Sequence, residues 1–153
     1  MNKNDLISEW LEKAGQDYTA ASHMIHEVHP ELTEISCYHS QQCAEKSLKA
    51  FLIYQDIEPP YTHDLAKLCL LCEDFDDSFS SVAQDCVDLT QYAISTRYPN
   101  ETVIALNEAE VVLNKAANVL GFINNKIPGL DTEEEPEESA DTEGEETAPE
   151  MEQ

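Results

Sequence analysis

Gln42, Lys46 and Lys49 follow one another at intervals of four and three residues, the spacing that stacks side chains along one side of an α-helix. One amide and two ammonium groups in that arrangement form a row of N–H donors suited to a phosphate. The same stretch has a plainer reading, in which Glu45 and Lys49, at i and i+4, make an ordinary surface ion pair. His63 and Asp64 stand in the first turn of a short predicted helix, where exposed amides suit an anion; the preferred reading is that they orient the connector by hydrogen bonding. Arg97, beside Tyr98 in a tight turn, is placed to grip a phosphate or carboxylate, with the tyrosine ring available for stacking on a base.

Other groupings carry less chemistry. His23, His26 and His29 run at i, i+3 and i+6, and His39 with Cys43 is an i, i+4 pair, but neither completes a metal site by itself. Cys69 and Cys72 have a redox or zinc spacing, yet they lie inside an apolar helical stripe and read as core residues. With Cys37, Cys43 and Cys86 they total five, an odd number of thiols that fits a reducing compartment. The four glycines form no phosphate-cradling loop, and no serine has a nucleophile-elbow setting. No metal and no cofactor are expected.

The elements that must position these groups are helical. Leu6, Trp10, Ala14, Tyr18, Ala21 and Ile25 predict a first helix from Asp5, as its cap, to His26, with His29-Pro30 as the exit. A second is predicted over 35–54, opened by Thr33 or Glu34 and closed before Asp56 and Pro59-Pro60, with Gln41, Gln42, Glu45, Lys46 and Lys49 on its polar side. Thr62 should cap a short third helix carrying Leu65, Leu68, Cys69 and Cys72, crossing one end of the bundle. The fourth is predicted over 78–95 on Val82, Cys86, Leu89 and Ala93, stopped by Arg97-Tyr98-Pro99. A fifth runs from an Asn100 or Thr102 cap to about Asn124 on Val103, Leu106, Ala109, Leu113, Ala116, Leu120 and Ile123. No stretch alternates in the manner of a strand. The expected fold is therefore an all-α antiparallel bundle of about five helices, four long and one short.

Of the 153 residues, 32 are acidic and 8 basic, for a formal charge of -24. Residues 131–153 hold 12 of the acidic residues and no Lys or Arg, so the part before them remains acidic, with 20 against 8. That balance argues against non-specific binding to nucleic acid or anionic membranes. From Pro128 onward Pro, Gly, Thr, Glu and Asp replace apolar residues, which predicts a disordered acidic tail over 127–153 behind a domain of 1–126. No membrane span or signal peptide is read, and a cytoplasmic location follows as the expectation.

The run His39-Ser40-Gln41-Gln42-Cys43-Ala44-Glu45-Lys46-Ser47-Leu48-Lys49-Ala50, then Thr62-His63-Asp64-Leu65, resembles the HEPN signature of a QQxxEKxLKA helix, a loop and THDL. Trp10, Ala14 and Asp17 resemble the family's first helix, and Leu89, Tyr92 and Arg97-Tyr98-Pro99 its Y…RYP segment. The resemblance covers residues 5–125. It implies an antiparallel helical bundle that commonly dimerises, is often paired with a minimal nucleotidyltransferase, and in many branches is a metal-independent ribonuclease toxin. In ribonuclease members an Arg is followed four to six residues later by His. Here no histidine follows His63, so that motif is absent after Arg97.

Three functions are compatible with these residues. The leading one is a homodimeric, non-catalytic module that binds a nucleotide, RNA or a minimal nucleotidyltransferase through Gln42, Lys46, Lys49, His63, Asp64, Arg97 and Tyr98. In family pairs the nucleotidyltransferase modifies a tyrosine, for which Tyr98 is the candidate. The second is a toxin ribonuclease of a toxin-antitoxin pair, with a rearranged site of His63, Lys49 and Arg97. The third is a helical scaffold without a nucleotide role.

Overall fold

A computed structural model describes residues 1–94 and 103–129. Every regular element among them is helical: α1 (Lys3–His26), α2 (Thr33–Tyr54), α3 (Leu65–Glu73), a 3-10 helix (Asp77–Val82), α4 (Ala83–Thr90) and α5 (Leu106–Lys126). Three helices are long instead of four, because the predicted fourth is split between the 3-10 segment and α4. Ser95, Arg97, Tyr98, Pro99, Asn100 and Thr102 lie outside the described residues.

α1 and α2 pack antiparallel. The Ser36 hydroxyl donates to the Ala21 carbonyl near one end of the pair, and Lys3 meets Asp56 at the other. α5 runs beside α2 in the same direction, with the Thr33 hydroxyl bonded to the Ile104 carbonyl at the start and Phe51, Phe79 and Phe122 clustered near the finish. Their ring centroids lie 4.6 and 4.9 Å apart in tilted and edge-on pairs, the arrangement aromatic quadrupoles favour. α4 is antiparallel to α5, tied to it by Asp88 to Lys115 and Asp85 to Asn118, and the flanking residues extend the ladder, Tyr92 to Glu108 after α4 and Asp76 to Lys126 before the 3-10 helix. α3 lies beside the second half of α2, where Cys72 Sγ approaches the Leu48 carbonyl, and does not cross an end of the bundle.

Helix starts differ from expectation where a nearer acceptor is available. Asn2, and not Asp5, caps α1, its side chain accepting from the Asp5 amide. Thr33 already belongs to α2 and uses its hydroxyl on Ile104, so that helix begins without a side-chain cap. Asp64, and not Thr62, caps α3, accepting from the amides of Ala66 and Lys67, while Thr62 accepts from the Asp64 amide. His63 thus stands before the helix. α5 starts at Leu106, leaving Val103 outside it and 74% exposed.

α2 ends in a turn with direct bearing on the site. Asp56 adopts a left-handed φ of 65°, the Asp56 amide bonds the Ile53 carbonyl at 2.8 Å, and the Ile57 amide reaches the Leu52 carbonyl at 2.8 Å. This double closure satisfies the last helical carbonyls and turns the chain back along α2. The connector from Ile57 to Asp64 therefore returns to the middle of α2 and brings His63 with it.

All five cysteines are buried thiols. Burial pushes Cys37 and Cys43 up to about 12, which suits packing residues and not nucleophiles. Among the described residues no group of three His, Cys, Asp or Glu side chains could hold a metal ion, and no helix is long and apolar enough to cross a membrane.

Candidate functional site

Two buried carboxylates organise the polar side of α2. The first is Asp17 of α1, which sits on the same stripe as Ala14 and Ala21 and is buried with them. A carboxylate cannot stay in such a place unpaired. Asp17 accepts from His39 Nδ1 at 2.8 Å and from Lys46 Nζ at 2.5 Å, both partners coming from α2. The Lys46 and His39 side chains remain 25% and 31% exposed.

The second is Glu45, whose side chain is 6% exposed. It accepts from Lys49 Nζ at 2.9 Å, from His63 Nδ1 at 2.9 Å and from the Gln41 amide at 3.2 Å, with the Gln42 amide at 3.3 Å. Gln41 also donates to the His63 carbonyl, and Gln42 to Gln41 Oε1, so the connector is fastened by backbone and side chain together. Burial opposes the charge on Glu45, but the bonds from Lys49, His63 and Gln41 outweigh it and hold the carboxyl below its usual range. The Lys49 side chain is 8% exposed. The surface ion pair expected from the i, i+4 spacing is therefore a buried one, because the returning connector covers it.

His39, Gln42, Lys46 and Lys49 fall at i, i+3, i+7 and i+10 along α2, one continuous stripe, and His63 joins it from the connector. Each imidazole spends Nδ1 on a buried carboxylate, which leaves Nε2 for another partner. Each ammonium spends one hydrogen in the same way; Lys46, 25% exposed, keeps two for another partner, whereas Lys49 lies under the connector. The stripe is close to charge-balanced, with two carboxylates against two ammonium groups. It can offer directed N–H donors to an anion without being a strongly positive patch.

Of the residues expected to form the site, Gln42, Lys46, Lys49 and His63 are brought together here. Asp64 points its carboxylate into the first turn of α3 and serves that helix. Arg97 and Tyr98 lie outside the described residues. Asp17, His39, Gln41 and Glu45 were given no role in the site by type and spacing. Gln41, expected on the polar side of α2, is instead fully buried in line with Cys37, Ala44 and Leu48, and Asp17 lies in line with Ala14 and Ala21; a polar side chain on such a stripe implies a buried partner.

A sequence model of the HEPN domain matches residues 7–126. A search of curated proteins returns no match. Two solved structures are similar in fold. One is TT1696 from Thermus thermophilus, at a TM-score of 0.67 and 24% identity, covering 83% of this chain and 100% of that one. The other is ST0689, described as an archaeal HEPN homologue, at a TM-score of 0.61 and 23% identity, covering 78% and 96%. The QQxxEK and THDL segments quoted above are the parts of the sequence that meet at Glu45, and the family match runs through both. The chain belongs to the HEPN domain family.

Proposed function

We propose that this protein is a homodimeric, non-catalytic HEPN module whose α2 stripe binds the phosphate of a nucleotide or of RNA, either directly or as presented by a minimal nucleotidyltransferase partner. The observation that carries this reading is the pinning of two imidazoles and two ammonium groups to one side of α2 by Asp17 and Glu45. Donors fixed by buried carboxylates are pre-oriented, so a ligand gains hydrogen bonds with little side-chain ordering. The non-catalytic part rests on the sequence, which has no histidine after His63 to act with Arg97. Titration calorimetry of the native chain with mononucleotides and short RNA tests the proposal. Binding should weaken at least about tenfold in Lys46→Ala and His63→Ala, whereas a scaffold without a nucleotide role shows no heat at all.

One observation favours a second reading, the ribonuclease. His63 bonded to a buried Glu45 is a carboxylate–imidazole pair, an arrangement that can steady a general base. RNA cleavage by the purified chain that disappears in both His63→Ala and Arg97→Ala, with folding intact, would replace the non-catalytic reading.

A further inference from the structure

A second feature adjoins the α2 stripe and has no part in it. At the end of the bundle where α1 begins and α2 finishes, a groove of about 680 Å³ is walled by Leu6 and Trp10 of α1, Ile53 of α2, and Ile57, Pro59 and Tyr61 of the connector. That volume lies in the range of small-molecule sites, and the walls are apolar and aromatic as such sites usually are. Tyr61 stands 97% exposed, an unusual position for a large ring on a folded chain. Its ring centroid lies 6.3 Å from that of His63, so the groove and the donor stripe meet at these two residues.

The charges around the groove give a bound molecule a direction. Lys3 is engaged by Asp56 at 3.0 Å and lies 5.8 Å from the Tyr54 ring centroid. Glu58 makes no ion pair among the described residues, and the rim therefore carries an excess of negative charge. An anion is repelled from the groove, and a flat uncharged group is not. The groove thus suits the opposite end of a ligand whose phosphate sits at His63.

We infer that Tyr61 and the Trp10 groove receive the base of the nucleotide whose phosphate is held at His63. The inference rests on the proposed phosphate-binding role of the α2 stripe and adds to it the part of the ligand that stripe cannot recognise. A free mononucleotide and the terminal nucleotide of an RNA share this chemistry, a stackable base joined through ribose to a phosphate. Tyr61 supplies a platform to any base, so preference among bases should be weak.

The chain carries its own probe, because Trp10 is its only tryptophan and lines the groove. Full-length protein is titrated with AMP, UMP, ribose 5-phosphate and a short 5′-phosphorylated RNA, reading calorimetry and Trp10 emission together. AMP, UMP and RNA should change the emission, and ribose 5-phosphate should bind more weakly without changing it. Tyr61→Ala should weaken AMP about tenfold or more and leave ribose 5-phosphate unaltered, Tyr61→Phe should behave as native, and His63→Ala should weaken both. Tighter binding of RNA than of AMP identifies an RNA end as the source, and the reverse identifies the free nucleotide. AMP binding that survives Tyr61→Ala, or that leaves Trp10 emission unchanged, overturns the inference while sparing the phosphate site. If neither AMP, ribose 5-phosphate nor RNA binds the native chain, the phosphate-binding role falls, and this inference falls with it.

Discussion

Asp17 and Glu45 hold nearly the same set of partners, one histidine and one lysine each, and put them to different uses. Both partners of Asp17 come from α2, so the carboxylate clamps two long helices whose relative position is already fixed by packing. Glu45 shares α2 with Lys49 and Gln41, and its histidine comes from a connector. One cluster is a seam between rigid bodies; the other anchors a loop, with the His63 side chain 58% exposed. Binding groups are disproportionately carried on loops held by rigid scaffolds, and the Glu45 cluster has that construction. The burial of the lysines differs as well. Lys46 can turn to water if Asp17 is lost, and Lys49 cannot readily do so.

The comparison is sharpest when each carboxylate is removed in turn. Glu45→Ala strands a buried ammonium and should cost about 3–5 kcal/mol in urea unfolding, enough to threaten the fold of a domain this size. Asp17→Ala should cost less, about 1–2 kcal/mol, because its partners keep access to solvent. Equal losses would show that the two clusters are energetically alike and that exposure of the partners does not matter.

Acid should separate the clusters in a second way. The Glu45 carboxyl titrates below its ordinary value when folded, so its contribution to stability is present above the unfolded value and is lost as pH falls through the lower folded one. Glu45→Gln should therefore be less stable than native at neutral pH, and the gap should narrow as pH drops below the usual carboxylate range, as read by unfolding midpoints across pH. A gap that stays constant would place the acid-sensitive group elsewhere.

His63→Ala tests whether the loop side of the Glu45 cluster matters for the fold or for binding. With Lys49 and Gln41 still on Glu45, the loss in thermal unfolding should stay under about 1 kcal/mol, well below that of Glu45→Ala. The smallest effect is expected at Ser40, on α2 between His39 and Gln41. Its buried hydroxyl has no hydrogen-bond partner among the described residues, whereas Ser47 bonds back to the Cys43 carbonyl. Ser40→Ala should change stability by no more than about 0.5 kcal/mol, and in the stabilising direction, since nothing is left unpaired when the hydroxyl goes.

Much of the bundle was legible from periodicity. Within the predicted stripes Ala14, Ala21, Ile25, Ala44, Leu48, Phe51, Ala109, Leu113 and Ala116 are buried as their spacing required, whereas Leu6 and Leu106, in the first turns of α1 and α5, are exposed. Helix starts were less legible, because capping depends on which acceptor is nearest in space; Thr33 was spent on Ile104, 71 residues away. The fourth helix was overestimated, since spacing does not distinguish an α-turn from the tighter 3-10 turn that opens it. The site was half legible. Type and spacing grouped Gln42, Lys46, Lys49 and His63 as candidates and paired Glu45 with Lys49, but the pairing of His63 with Glu45 and of Lys46 with Asp17 was not anticipated, since a partner from another element is not set by the spacing within one helix.

The amino-acid sequence by itself determined the helices, most of the apolar faces that pair them and the acidic balance of the chain, because each of these follows from local spacing and composition, and its motifs carried the resemblance to the HEPN family that the match over residues 7–126 bears out. Only the tertiary structure decided that the polar side of α2 is largely covered. The turn at Asp56 folds the connector back over Glu45, and α1 lays Asp17 against His39 and Lys46. The physical reason is that burial of a charge is settled by what covers it and what pairs with it. Both of those come from residues distant in the chain, which is how an apparent surface ion pair at Glu45 and Lys49 became the buried anchor of the candidate site.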